Sequence, residues 1–338
     1  MAALLAAAAI LVITAAAVSL LMALPAVALA ETAGPLHAAG RARIWLAALL
    51  LPPLTGIAAA VAALSLHAQG TIASPHIGGL RPHLCLLPLL DAPAGTFVLR
   101  SLAWLSLLLV IVALLRMLTA ATVGHLLRRM VVASGVPMEA APEALVVELG
   151  RPVSFNAGLL RPVVVVSASL RAMLDPEALE AMLAHERAHA VRRDNVLLLI
   201  AEVCALLAAL SPAAWYARGR LKVATEEAAD DATLMAGVQP EAVDRALAVA
   251  TGTTAGYPRT PSLTDLLIPS PPLAEHRRMR LAQIDSADLP ASAGRGRLHA
   301  LLAAGVGVAL LVLLAATARL AVEDTLFCAA EQLIAAVR

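Results

Sequence analysis

Charge is scarce in this 338-residue sequence: Asp, Glu, Lys and Arg make up 14% of it, against about 25% in an ordinary soluble protein. Aromatic residues are scarcer still at 2%, whereas hydrophobic residues reach 60%. A chain this poor in charge places much of itself in something other than water. The formal net charge of +1 offers no electrostatic footprint for nucleic acid, so none is expected as a partner. Three cysteines, none in CxxC spacing, exclude a disulfide framework. No internal repeat is present.

The charge that exists is concentrated. Between Arg116 and Arg297 lie 19 of the 25 Lys and Arg residues and 19 of the 24 Asp and Glu residues. One ordinary water-facing domain is therefore embedded in an apolar chain. Crossing a bilayer takes about 20 apolar residues, and residues 2–30, 44–66, 97–119 and 298–318 qualify. Segment 196–210 is apolar too, but it contains Glu202 and stops at Ser211-Pro212, so a buried or interfacial helix is expected there. Ala28-Leu29-Ala30 before Glu31 resembles a signal-peptidase site, yet no positive charge precedes the run, which favours a retained span.

Lys and Arg collect in cytoplasmic loops. Arg41 and Arg43 follow the first span, Arg116, Arg128 and Arg129 follow the third, and Arg277, Arg278, Arg280, Arg295 and Arg297 precede the fourth. The bias predicts a multi-pass protein of the cell inner (cytoplasmic) membrane with its N-terminus outside and the charged domain in the cytoplasm. Residues 1–121 then form a membrane region with three spans, 122–297 the charged domain, and 298–338 a last span with a short extracytoplasmic tail. On this topology Cys85 and Cys328 share the oxidising side and their pairing is open; Cys204 lies elsewhere.

Within the charged domain, residues 145–149, 153–155 and 163–167 are rich in β-branched residues and separated by Gly150 and the Asn156-Ala157-Gly158 turn, which predicts a small antiparallel sheet. Asp175-Pro176-Glu177 provides a capping carboxylate, a proline at the first helical position and an acid in the first turn. The helix that follows carries His185-Glu186-Arg187-Ala188-His189. Ser211-Pro212 repeats the signal and opens a helix through Glu226 to about Met235. Residues 251–272, rich in Thr, Gly, Ser and Pro, read as a loop.

Histidines four apart on a helix project from one face and can share one ion. Glu186 sits beside the first of them, where its carboxylate can take a proton from a zinc-activated water. A catalytic zinc needs a third protein ligand. Glu226 on the following helix fits, and Asp230 one turn on can fix the tautomer of a ligand histidine. The neighbouring pair Glu227 and Asp231 has the same spacing and is the competing choice. HExxH alone occurs by chance, but this helix is otherwise apolar, and two histidines and a glutamate there would be costly unless employed. Asp194 reads as a cap or as an ion pair with Arg192 or Arg193; His125 and His276 read as solvated.

These residues resemble the integral-membrane zinc peptidases of the BlaR/MecR type, from about Gly150 to Leu234. The similar stretches are FNAGLLRPVVVVSASL, LDPEALEAMLAHERAHAVRRDN, SPAAWYARGRLK and EEAADDATL. Where that family often has a cysteine before the aspartate of its ExxxD element, this chain has Ala229. HtpX-like and prenyl-protein peptidases are related, and PPLAEHRRMRLAQI is similar to a stretch near the end of their catalytic domain. The resemblance implies an α-helical integral membrane protein of about four transmembrane helices, with an α+β zincin-like cytoplasmic metallopeptidase domain between the third and fourth.

It further implies a zinc endopeptidase of the gluzincin type. His185, His189 and Glu226 hold Zn2+, Glu186 activates water, and a protein or peptide substrate such as a repressor lies along the strand 163–167 or the 154–158 turn before it, against Asn156, Ala157 and Gly158. The lipid bilayer is the other expected partner, and a homo-oligomer is compatible with the sequence. About 20 residues follow the last apolar run, with no Ser-x-x-Lys among them, so a β-lactam sensor of the BlaR design is not expected. A quality-control protease for membrane proteins, or a scaffold with a vestigial zinc site, are the competing readings. The 251–272 loop is a candidate for self-cleavage.

Overall fold

The computed structural model describes residues 2–32, 38–68, 93–254 and 271–283. Three helices come first: α1 (Ala2–Thr32), α2 (Ala38–Ala68) and α3 (Pro93–Ser134). All three are long and apolar enough to cross a membrane, over Leu4–Glu31, Ala38–Ala62 and Arg100–Ser134. They stand where the first three apolar runs predict spans, although α2 starts earlier and α3 runs on much further. The fourth expected span, Cys85 and Cys328 lie outside the described residues. Helices α1 and α2 pack closely at Gly56, where a Cβ would come within 2.4 Å of the Leu11 carbonyl oxygen. Small residues at such points let membrane helices approach.

At 1.5 Å per residue α3 is roughly 60 Å long, more than the thickness of the hydrocarbon core. Its C-terminal part carries on into the water-facing domain, passing through residue 122 without a break. There it covers one face of a four-stranded sheet made of β1 (Val136–Met138), β2 (Ala141–Val147), β3 (Ser154–Ala157) and β4 (Val163–Ser167). The strand order is β1-β2-β4-β3.

The sheet is mixed rather than antiparallel: β1–β2 and β3–β4 are antiparallel pairs, but β2 and β4 run parallel. The sequence reading treated consecutive strands as hairpins. Residues 148–153 are instead long enough to carry the chain past β4 and bring β3 in on its far side. Asn156 and Ala157, expected in a turn, are the last residues of β3, and the reversal starts at Gly158 with φ +101°. Strand β4 is valine from 163 to 166 because it is covered on both faces. Val164 and Val166 pack with Leu170, Met182 and Leu183, whereas Val165 packs with Val131, Val147 and Ala157.

Six helices complete the described domain: α4 (Ala168–Met173), α5 (Pro176–Arg192), α6 (Asp194–Leu207), α7 (Pro212–Met235), α8 (Pro240–Thr254) and α9 (Pro271–Leu281). Asp175 caps α5, its carboxylate accepting from the Ala178 amide at 2.8 Å. Helix α7 starts at Pro212 and ends at Met235, but Ser211 does not cap it; its hydroxyl donates to Ser19 of α1 at 3.2 Å. Helix α6 has 14 residues, too few to span, and its Glu202 accepts from Arg116 of α3 at 2.7 and 3.0 Å. The expected 251–272 loop is shortened at both ends by α8 and α9, and residues 255–270 lie outside the described ones.

Gly158 combines a left-handed backbone with a crowded Cβ position. A Cβ there would lie 3.0 Å from Arg128 Cδ and 3.3 Å from the Arg161 carbonyl oxygen, on a backbone already left-handed. Gly158→Ala is expected to cost about 1–3 kcal/mol, read as a lowered Tm of the detergent-solubilised protein. Gly150→Ala, where an added Cβ meets nothing within 4 Å, should leave Tm unchanged.

Candidate metal centre

Helix α5 presents His185 and His189 one turn apart, and the two Nε2 atoms face each other at 3.0 Å. Each ring is held from behind by a buried carboxylate. Asp230 Oδ1 lies 3.0 Å from His185 Nδ1, and Asp194 Oδ2 lies 2.6 Å from His189 Nδ1. A carboxylate at Nδ1 fixes the proton there and leaves the Nε2 lone pair free. Two lone pairs turned toward one point in a buried setting would be compensated by a cation between them.

Helix α7 supplies the third donor. Glu226 Oε2 is 3.5 Å from His185 Nε2, and Glu226 Oε1 is 3.9 Å from His189 Nε2. Donor atoms of His185, His189 and Glu226 all lie within 4.8 Å of one another. Zinc bonds of about 2.0–2.2 Å in a tetrahedral shell separate ligand atoms by roughly 3.3 Å. The three separations bracket that figure, and the donor set of two imidazoles and a carboxylate fits zinc. The competing acid Glu227 points elsewhere: its carboxylate meets Arg41 of α2 and His276 of α9, the latter at 2.8 Å. His276 thus has a protein partner, whereas His125 is exposed.

Asp194 does more than the sequence reading assigns it. It pairs with Arg192 as expected, but it does not cap α6. The N-cap is Arg193, whose left-handed backbone (φ 55°, ψ 45°) ends α5 and starts α6 with no linker. That turn swings Asp194, 3% exposed, back onto His189. Arg192 also donates to the Thr225 carbonyl at 2.9 Å, so the ends of α5 and the middle of α7 are joined behind the site. The next residue, Asn195, donates to the Asn156 and Gly158 carbonyl oxygens at 2.9 and 3.0 Å.

Glu186 is turned toward β3. Ser154 Oγ donates to its Oε1 at 2.9 Å, and Asn156 Nδ2 donates to its Oε2 at 2.7 Å and to its backbone oxygen at 2.9 Å. Both carboxylate oxygens therefore have fixed donors. Asn156, Ala157 and Gly158, expected against substrate, do not line the cleft. Asn156 is spent on Glu186, Ala157 is fully buried, and Asn195 occupies the carbonyls on either side. The β3 side of the cleft is formed by Pro152, Val153 and Ser154. The cleft, with a volume of about 80 Å³, has His185, Glu186, His189, Glu226 and Arg277 on its polar side; Leu170, Val243 and Leu247 line its apolar side.

Arg277 of α9 is the residue that sequence reasoning missed. It is 3% exposed; it donates to Glu226 Oε2 at 3.0 Å and to both oxygens of Asp230 at 2.7 and 2.9 Å. Its one sequence signal was the PPLAEHRRMRLAQI stretch. Burial and the Arg277 charge pull the His185 pKa down, but hydrogen bonds to Asp230 and Glu226 outweigh them and raise it to about 9. Burial alone would raise the Glu226 and Asp230 carboxyls; the histidines and Arg277 instead hold both well below the usual range. For Asp194 too, bonds to His189 and Arg192 overcome burial and lower the pKa. The carboxylates around the histidines are thus held ionised, and they favour positive charge at His185.

Partners of this kind typically change metal affinity by about 10–100-fold. Asp194→Asn is expected to weaken zinc binding within that range, measured by competition with a chelator, and Asp230→Asn likewise.

A family model described as BlaR1 peptidase M56 matches residues 96–242. No curated protein and no solved structure matches the chain.

Proposed function

We propose, from the match of residues 96–242 to the BlaR1 peptidase M56 family model, that the chain is a membrane-embedded zinc endopeptidase of the gluzincin type. The observation that carries the reading is the convergence of His185, His189 and Glu226 donor atoms within 4.8 Å, beside a buried carboxylate one residue along the same helix. His185, His189 and Glu226 would hold the zinc, with Asp230 and Asp194 orienting the two imidazoles. When bound, the metal supplies a Lewis acid for the scissile carbonyl and lowers the pKa of water.

The chain's own residues do the rest. Glu186 accepts a proton from the attacking water and passes it to the departing amine. Ser154 and Asn156 keep its carboxylate in place between those two transfers, which a freely rotating side chain would not do. An extended peptide segment has an approach along Pro152–Ser154, at the open edge of β3. The apolar side of the cleft, Leu170, Val243 and Leu247, favours an apolar substrate side chain there.

The topology follows the same reading: N-terminus outside, peptidase domain in the cytoplasm, zinc site close to the inner membrane. The contact between Arg41 and Glu227 supports it, because it puts the link between the first two spans on the same side as the metal residues. Regulatory cleavage of a protein such as a repressor fits the family; fragments that accumulate only with active enzyme would identify the substrate.

Zinc content and proteolysis of the purified protein test the reading together. Wild type should hold about one zinc per chain, lost in His189→Ala and in Glu226→Ala. Glu186→Gln should keep the zinc and lose cleavage by several orders of magnitude. Retained cleavage in zinc-loaded Glu186→Gln would overturn the mechanism.

A further inference from the structure

Glu226 and Glu227 are neighbours on α7, so their side chains leave the helix about 100° apart. Glu226 faces the histidines. Glu227 faces the other way, toward the membrane helices, and is 5% exposed. A buried carboxylate needs charged partners, and Glu227 has one on each side: Arg41 in the first turns of α2 and His276 of α9. Arg41 is itself largely buried, its side chain 13% exposed.

The rest of α2 reinforces the contact. Trp45, Ala48 and Leu49 pack with Ala217, Leu221 and Ala224 of α7, and with Ala26 and Ala30 of α1. Trp45 meets Tyr216 edge to face with ring centroids 5.7 Å apart. Helix α7 is thus seated on the α1–α2 pair along most of its length, and the seam ends at Glu227. From the opposite side α9 places consecutive residues on the two acids, His276 on Glu227 and Arg277 on Glu226.

A rotation of this turn of α7 moves both glutamates at once. Without Arg41, the Glu227 carboxylate loses its guanidinium partner and gains by turning toward water, which carries Glu226 away from His185 and His189. We propose that Arg41 is a positioning residue of the metal centre, tying the first two membrane helices to the ligand helix through Glu227 and so setting the placement of Glu226. The inference rests on the zinc reading above. Arg41 and α9 both lie outside the family-matched segment 96–242, so the tie is a property of the assembled chain and not of that segment alone.

The test is the rate at which zinc leaves the full-length, detergent-purified protein into excess chelator. Wild type is compared with Arg41→Gln, Arg41→Lys and Arg43→Gln; Arg43 is exposed in the same turn of α2 and controls for loss of loop charge. Arg41→Gln should release zinc about tenfold faster, the lower end of the effect of outer partners on metal ligands. Arg41→Lys should restore most of the wild-type rate, and Arg43→Gln should match wild type. Unchanged release from Arg41→Gln, or equal acceleration by Arg43→Gln, overturns the tie. Should Arg41→Gln not fold, Glu227→Gln breaks the same ion pair from the other side, and unchanged release there overturns it equally. Wild type that folds but holds no zinc would instead sink the metal reading, and the tie with it.

Discussion

Burying charge is the constraint around which this domain is arranged. Glu186, Asp194, Glu227, Asp230 and Arg277 are each less than a tenth exposed, and an uncompensated buried ion costs several kcal/mol even after relaxation. None of the five stands uncompensated. Arg277 lies between Glu226 and Asp230, Arg192 backs Asp194, Arg41 and His276 flank Glu227, and β3 supplies donors to Glu186. These partners come from α2, α5, α9 and β3, so compensation of one small cluster fixes elements from across the chain relative to one another. Removing one partner typically costs about 3–5 kcal/mol because it leaves the other charge buried. Such a cluster holds its geometry more tightly than apolar packing alone would.

The membrane helices take part in this arrangement rather than only anchoring it. Helix α3, long and apolar enough to cross a membrane, runs on without a break to cover one sheet face through Leu127 and Val131, so the sheet packs on the same continuous helix. Arg116 of the same helix pairs with Glu202 of α6. This also explains an apolar helix that is too short to cross: α6 lies against α2 and α7, with Ala201, Cys204 and Ala205 buried, and its one acid is neutralised by a span. The apolar excess of the sequence is therefore shared between lipid contact and a seam where α1, α2, α6 and α7 meet.

Local signals in the sequence were the legible ones. Asp175-Pro176 marks the start of α5 because capping chemistry and a proline act within one turn, and at Ser211-Pro212 the proline at the first helical position marks the start of α7 without a side-chain cap. The two histidines share a face because the helix period forces it. Contacts set by tertiary placement were not legible. Nothing within reach of Asp194 announces that a left-handed Arg193 will turn it onto His189; a glycine at that position would have given a hint. Asn156 looks like a turn residue beside Gly158, but its partner Glu186 is 30 residues away. The parallel pairing of β2 with β4 depends on a connection that passes β4, and no residue in 148–153 encodes that direction.

The choice between the two acids of α7 shows where sequence symmetry gives way to packing. Glu226 with Asp230, and Glu227 with Asp231, are the same pair displaced by one residue, and both place two carboxylates on one helix face. Their surroundings differ. The face of Glu226 and Asp230 meets His185 and the guanidinium of Arg277. The face of Glu227 and Asp231 meets Arg41 and Arg280, with no imidazole lone pair toward it apart from His276, which is half exposed. One face is met by imidazoles as well as a guanidinium, the other by two arginines. The difference between the two acid pairs is therefore set by their neighbours on other elements: α5 brings imidazoles and α9 brings Arg277 to Glu226 and Asp230, whereas Arg41 of α2 and Arg280 of α9 neutralise Glu227 and Asp231.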